Sequence, residues 1–209
     1  MSSDTEQRNC KGANAGRTPT PPTVDDMPLA AFFAQFASFS FSFNANQSSS
    51  KNFNRLIKVL KCDLKTPQGR LIQDGFRDAL VQEFNARFGS DRNDLSNWQN
   101  LCRALKIDPV PGSIKACRQC VWNTNVNAVD LVDSARTGKP VKLFASLKEL
   151  TAYTLQNPNL LLPKESAYQG GLLKDLLREI RNPYLGNSRN GSAKRKERKK
   201  QQKAKKTAA

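Results

Sequence analysis

The chain contains no histidine. That removes the side chain most often used as a general base, and with it the most frequent nitrogen ligand of transition metals. A Ser, Thr or Cys nucleophile would have to rely on a lysine or a carboxylate, and no motif proposes such a pair. No apolar run approaches the roughly 18 to 20 residues that cross a bilayer. The opening MSSDTEQRNCKG also lacks the apolar stretch of a secretory signal. An intracellular protein without a membrane partner is expected. Neither G-x-x-x-x-G-K nor G-x-G-x-x-G occurs, so no phosphate-cradling loop is announced. Five cysteines (Cys10, Cys62, Cys102, Cys117 and Cys120) are an odd number without framework spacing, which suits reduced thiols rather than a disulfide scaffold.

Acids are scarce as well, 18 against 34 bases, for a net charge of +16. The excess is unevenly placed. Residues 189 to 209 hold ten of the 34 Lys and Arg and only Glu197 of the acids, so over half of the surplus sits in a tenth of the chain. Its densest part is AKRKERKKQQKAKK, residues 193 to 206, with Lys194, Arg195, Lys196, Arg198, Lys199, Lys200, Lys203, Lys205 and Lys206. Such a block reads as a nuclear-import signal, as a nonspecific tether to RNA or DNA, or as a solubilising tail. No aromatic residue interleaves these cations to stack on bases, so any nucleic-acid binding there would ignore sequence. Engaging six or more phosphates would cost roughly a thousandfold in affinity between 50 and 200 mM salt.

Residues 1 to 26 are rich in Ser, Thr, Pro, Gly and Asn and hold almost nothing apolar to bury, which predicts disorder. From Pro28 the pattern changes. Leu29, Phe32, Phe33 and Phe36 fall at helical spacing, with the proline in the first turn. In the following FASFSFSF, Phe39, Phe41 and Phe43 alternate with serine as in a half-buried strand. With no partner strand in sight, an extended arm laying three phenylalanines on the body is the plainer reading, and an exposed edge that recruits another chain the sharper one.

The body starts near Ser50. Phe53, Leu56, Ile57 and Leu60 make one stripe. Thr66 and Pro67 then form an N-cap with proline at the first helical position, and Ile72, Phe76, Leu80, Phe84 and Phe88 recur every four residues until Gly89. Gly75 inside this helix suggests close packing against a neighbour. Asp94 caps a helix carrying Leu95, Trp98, Leu101, Cys102 and Leu105, and DPVPG breaks the chain after it. Ile114, Cys117 and Val121 form the next stripe, with Trp98 placed in the core and Trp122 undecided. Asn125 is expected to cap VNAVDLVDSA, which runs to Gly138, and VKLF at 141 to 144 is too short for more than a connector or an isolated bridge. Ser146 and Glu149 form a capping box that opens a helix with Leu147, Leu150 and Leu155 inside. A last helix gathers Leu172, Leu173, Leu176, Leu177 and Ile180 before Asn182 and Pro183. The expectation is an all-α fold: a single compact domain of seven or eight helices over residues 28–182, between a disordered N-terminal tail (1–27) and a disordered basic tail (183–209).

FRDALVQEFNARFGSD (76 to 91), DLSNWQNLCRALKIDPVP (94 to 111), VNAVDLVD (126 to 133) and AYQGGLLKDLLREI (167 to 180) resemble, in that order, segments of a family of uncharacterised fungal proteins. The likeness covers about residues 29 to 181. It implies a fungal source and a shared helical domain and brings no activity with it. FASFSFSF departs from the aromatic, proline-containing and acidic segment expected at that place in the family, and the lysine tail is not a general feature of it.

Three constellations remain. Cys117 and Cys120 make the one C-x-x-C, which lies mid-helix, without histidine or a second pair, and reads as ordinary helix residues rather than a zinc or redox site. Asp130 and Asp133 share a helix face and could hold a divalent cation, but two carboxylates on a solvated face explain the same letters. Gly170 and Gly171 read as turn glycines and not as a phosphate loop. Arg70, Arg77 and Arg87 are offset by Asp74, Asp78 and Glu83, so no basic recognition helix stands out. No cofactor and no metal is expected. The leading expectation is a nonenzymatic helical module that binds an unknown protein partner and is carried to the nucleus by an import receptor that reads the basic tail. Next comes a nonspecific nucleic-acid-associated protein, held by its tail to RNA such as ribosomal RNA. An enzyme working through a lysine or carboxylate base ranks third; a deep pocket lined by convergent, oppositely charged side chains would reopen that reading.

Overall fold

Thr66 and Pro67 start the longest helix among the described residues, as the spacing predicts. The Thr66 hydroxyl accepts the Gly69 N–H at 3.1 Å, and the helix runs without a break over Pro67–Phe88. At 22 residues it is about 33 Å long, and the remainder of the body is arranged around it. The computed structural model describes residues 27–162 and 171–177. Its helices, in chain order, are α1 (Pro28–Ala34), α2 (Ser49–Leu60), α3 (Pro67–Phe88), α4 (Leu95–Ala104), α5 (Ile114–Asn123), α6 (Ala128–Thr137), α7 (Leu147–Gln156) and α8 (Gly171–Leu176). The fold is all-α apart from one two-stranded ladder, β1 (Asn125–Val126) antiparallel to β2 (Leu143–Phe144). The expected disordered tails, and residues 163–170 and 178–182 of the expected domain, lie outside the described residues.

In α3 the residues Ala79, Leu80, Val81, Glu83 and Phe84 are all buried. Successive residues of a helix point about 100° apart, so burial at 79, 80 and 81 requires neighbours on more than one side. They are supplied by α1, α4, α6 and α8, each of which packs on α3. From α2, Phe53 stacks on Phe76 with ring centroids 4.3 Å apart. The core is continuous from Leu29 and Phe33 in α1 through Leu80 and Phe84 to Trp98, Cys117, Leu131 and Leu172. Gly75 has the close neighbour its position suggests, since a Cβ there would stand 3.2 Å from the Phe32 ring.

Of the buried carboxylates, Glu83 lies deepest. Glu83 is fully buried; its Oε1 accepts two hydrogen bonds from the Arg87 guanidinium, at 2.8 and 2.9 Å, and its Oε2 accepts the backbone N–H of Leu29 at 3.2 Å. The N-cap residue of α1, Met27, offers no side-chain acceptor. A carboxylate from the middle of α3 therefore satisfies one of the amides that a helix start leaves open.

Several expectations need correction. FASFSFSF is neither a strand nor a three-phenylalanine arm. Residues Ala37–Phe39 form a 3₁₀ turn, closed by Ser40 in the left-handed region (φ 57°), and this turn throws Phe39 outward to 57 % exposure. Phe41 and Phe43 do reach the body, at 5.5 and 5.0 Å from the Phe33 ring. The cap of α6 is Asn127 and not Asn125: Val126 turns into the core, so the chain stays extended along Leu143 for two residues before the helix begins. In α7, Leu150 is buried but Leu155 is 52 % exposed, and the inward position is taken by Thr154, whose hydroxyl accepts the Asn127 amide at 3.1 Å. Finally, Met27, assigned to the N-terminal tail, is buried and belongs to the body.

Candidate functional site

The loop between Phe43 and α2 owes its shape to Asn52. This fully buried side chain accepts the Asn44 N–H at 3.0 Å and donates to the carbonyls of Asn44, Gln47 and Ser48 at 2.9, 3.3 and 3.2 Å. From α6, Arg136 donates to the carbonyls of Ala45 and Gln47 and to Asp133 Oδ1, while its guanidinium lies 5.4 Å from the Phe43 ring centroid. Asp133 also accepts the Ser49 N–H at 2.9 Å to each oxygen, together with the Ser49 hydroxyl. The start of α2 and the loop before it are thus fastened to one face of α6.

On the next part of that face a pocket opens. It has a volume of about 260 Å³ and is bounded by the 46–48 loop, Lys51, Asp130, Ser134 and Thr137 of α6, the 139–142 segment and Tyr153 of α7. Most of its polar groups are committed elsewhere. Ser134 donates to the Lys139 carbonyl, Thr137 to the Asp133 carbonyl, and Lys139 to the Asn46 carbonyl. Asp133 is consumed by Ser49 and Arg136. Lys142 lays its ammonium over the Phe144 and Tyr153 rings, at 5.0 and 4.7 Å from the centroids. The exception is Asp130, whose Oδ2 is buried without a hydrogen-bond partner.

Burial pushes the Asp130 carboxyl up to about 6; the Tyr153 hydroxyl opposes that rise, the charge of Asp133 adds to it, and Lys142 opposes it more weakly. Tyr153 is raised to about 12, first by burial and then by Asp130, so its hydroxyl keeps its proton beside the carboxylate. The expectation of a solvated Asp130 and Asp133 face is overturned: Asp133 is buried in an ion pair with Arg136, and Asp130 is desolvated at the pocket wall. Among the described residues no group of three or more His, Cys, Asp or Glu is placed to share a metal ion.

The other constellations settle into structure. Cys117 is buried on α5 and Cys120 partly so, both as free thiols, and Cys117 Sγ contacts the Pro111 carbonyl at 3.2 Å. Burial, with Cys117 adding to it, drives the Cys102 thiol up to about 12, the opposite of what a reactive thiol needs. Gly171 begins α8 against the Ser90 carbonyl and the Arg92 stem, and Gly170 lies outside the described residues. Of the arginines set against acids, Arg77 pairs with Asp74 and Arg87 with Glu83, while Arg70 donates to the Lys65 carbonyl instead. Trp98 is fully buried and Trp122 partly so. The Arg118 guanidinium stands 5.9 and 5.1 Å from their rings and, with Arg92, pairs with Asp175 of α8.

All nine cations of the C-terminal block, Lys194, Arg195, Lys196, Arg198, Lys199, Lys200, Lys203, Lys205 and Lys206, lie outside the described residues. The pocket was missed in the sequence because its members come from three separated stretches, 46–51, 130–142 and Tyr153. The only signal in reach was the spacing of Asp130, Asp133, Ser134 and Thr137 along one helix face. Among the described residues no helix is long and apolar enough to cross a membrane. No family model matches the chain, and no similar curated protein or solved structure is found.

Proposed function

We propose that the chain is a nonenzymatic helical module that binds another protein and is brought to the nucleus by an import receptor reading Lys194 to Lys206. The observation that carries this reading is how its charge is divided. Inside the body four arginines pair with buried carboxylates, Arg87 with Glu83, Arg136 with Asp133, and Arg92 and Arg118 with Asp175. The polyanion-seeking charge is the C-terminal run of nine cations with one acid. The body instead offers apolar side chains to solvent, with Leu71 68 % exposed and Phe39, Val59, Leu143 and Leu155 each about half exposed or more. The pocket beside α6 gathers opposite charges, as a catalytic site would. In this reading it binds rather than reacts, because Asp133 is held by Ser49 and Arg136 and Asp130 has the Tyr153 hydroxyl beside it.

The same nine cations support a second reading, a nonspecific RNA-associated protein whose tail supplies the affinity. Truncation after Asn187 separates the two. The leading reading expects the shortened chain to lose nuclear accumulation while still co-purifying the partners of the full chain. Loss of salt-sensitive RNA binding together with every partner would favour the second. A shortened chain that still enters the nucleus and still binds RNA in a salt-sensitive way would overturn the role given to the tail.

A further inference from the structure

Independently of that reading, the pocket beside α6 has the chemistry of a small-molecule site. Its wall includes Asp130, whose carboxyl has the Tyr153 hydroxyl as a neighbour and whose Oδ2 is buried without a hydrogen-bond partner of its own. A buried carboxylate oxygen left alone is costly, and the shortfall is made up when a donor arrives. Lys51, Lys139 and Lys142 line the same pocket, the Lys139 ammonium donating to the Asn46 carbonyl and the Lys142 ammonium lying over the Phe144 and Tyr153 rings. Asp133 is already engaged by Arg136 and by Ser49, although its charge still acts on Asp130. A purely cationic ligand would meet three lysines, and a simple anion would meet the Asp130 carboxylate. A ligand with both signs meets neither objection.

We propose that this pocket binds a small zwitterion of the amino-acid type, its ammonium pairing with the Asp130 carboxylate and its carboxylate drawn to Lys51, Lys139 and Lys142. The volume of about 260 Å³ suits a molecule of that size and falls just below the range of pockets that take larger ligands. Tyr153 stands beside the carboxylate with its hydroxyl protonated and helps to orient it. An ammonium would favour the ionised form of Asp130. The groups that face this carboxyl are Tyr153, Asp133 and Lys142, and binding should weaken as the pH is lowered through about 6.

The test is calorimetric titration of the full chain, at low salt and pH 7.5, with a panel of free L-amino acids, and separately with acetate, methylammonium and inorganic phosphate. At least one amino acid should bind more tightly than acetate and methylammonium by tenfold or more. Asp130→Asn should weaken it by about ten- to a hundredfold, the loss of one charge-assisted hydrogen bond. Lys51→Gln, on the rim, should weaken it severalfold with no change in the circular dichroism of the protein. Acetate binding as tight as that of the best amino acid, and left unaltered by Asp130→Asn, would show an anion site that ignores the carboxylate and would overturn the proposal. So would the absence of binding by every member of the panel, or amino-acid binding that is indifferent to both substitutions.

Discussion

Replacing Glu83 by alanine should be among the most damaging single changes in the body. The substitution strips the Arg87 guanidinium of two hydrogen bonds, at 2.8 and 2.9 Å, and the Leu29 N–H of its one acceptor. Breaking a buried ion pair from one side costs about 3–5 kcal/mol, because the surviving charge is left without compensation. Arg87 retains 18 % of its side-chain exposure and a contact of 3.5 Å to the Ala135 carbonyl, so part of its charge can be rehydrated. That places the arginine loss near the low end, and the orphaned amide adds about 1 kcal/mol or more. A total of about 4 kcal/mol follows, a large share of the roughly 5–15 kcal/mol that holds a domain of this kind together. Glu83→Gln retains an acceptor and should cost about half as much. The double substitution Glu83→Met, Arg87→Met removes both charges and leaves only the amide unsatisfied, so it should be less damaging than Glu83→Ala alone. Urea unfolding of the full chain followed by far-ultraviolet circular dichroism measures all three, provided the slope of the transition is unchanged. A loss below about 1 kcal/mol for Glu83→Ala, or a double variant as unstable as the single one, would refute this account of the buried charge.

Two glycines of α3 should respond in opposite ways to alanine. At Gly69 a Cβ would lie 2.2 Å from the Asp63 carbonyl oxygen, backbone that cannot step aside, and a loss of about 3 kcal/mol is expected despite better helix propensity. At Gly75 the added carbon would stand 3.2 Å from the Phe32 ring, and the gain of up to about 1 kcal/mol in propensity should leave stability within about 1 kcal/mol of the parent. Thermal melts of the pair decide it, and equal losses would contradict the geometry. Asp130 makes a pH prediction. Its folded-state value of about 6 lies above the ordinary 3.8, so the folded chain holds the proton more tightly than the unfolded one. Its contribution is therefore most favourable below about pH 4 and is lost as the pH rises towards 6, by on the order of 2 kcal/mol. Asp130→Asn should flatten that part of the stability profile and raise stability at pH 7; an unaltered profile would show that the carboxyl is well hydrated.

The helices were open to view in the sequence because each announces itself locally. Thr66, Asp94 and Ser146 cap where their positions indicate, and the leucine and phenylalanine stripes select the buried faces. What could not be read was anything decided by two distant segments. Asn52 looks like a polar residue on the back of an amphipathic helix, and its burial depends on the 44–48 loop folding over it. Asp133 reads as a solvated carboxylate until the start of α2 arrives 84 positions away in the chain. Cap choice failed for a similar reason: Asn125 and Asn127 are equally good letters, and only the pairing of Val126 with Leu143 settles which one begins α6. In FASFSFSF the alternation is real, but a 3₁₀ turn at 37–39 uses up the first phenylalanine before the other two reach Phe33.

The clamp on Asp175 equips the molecule with its own optical probe. The chain has only two tryptophans, and both rings flank Arg118, one of the two arginines that grip α8. Displacing that helix would alter the electric field at both indoles together. Intrinsic emission can therefore register, without a label, whether an event at the lysine-rich end tugs on the body to which it is covalently joined.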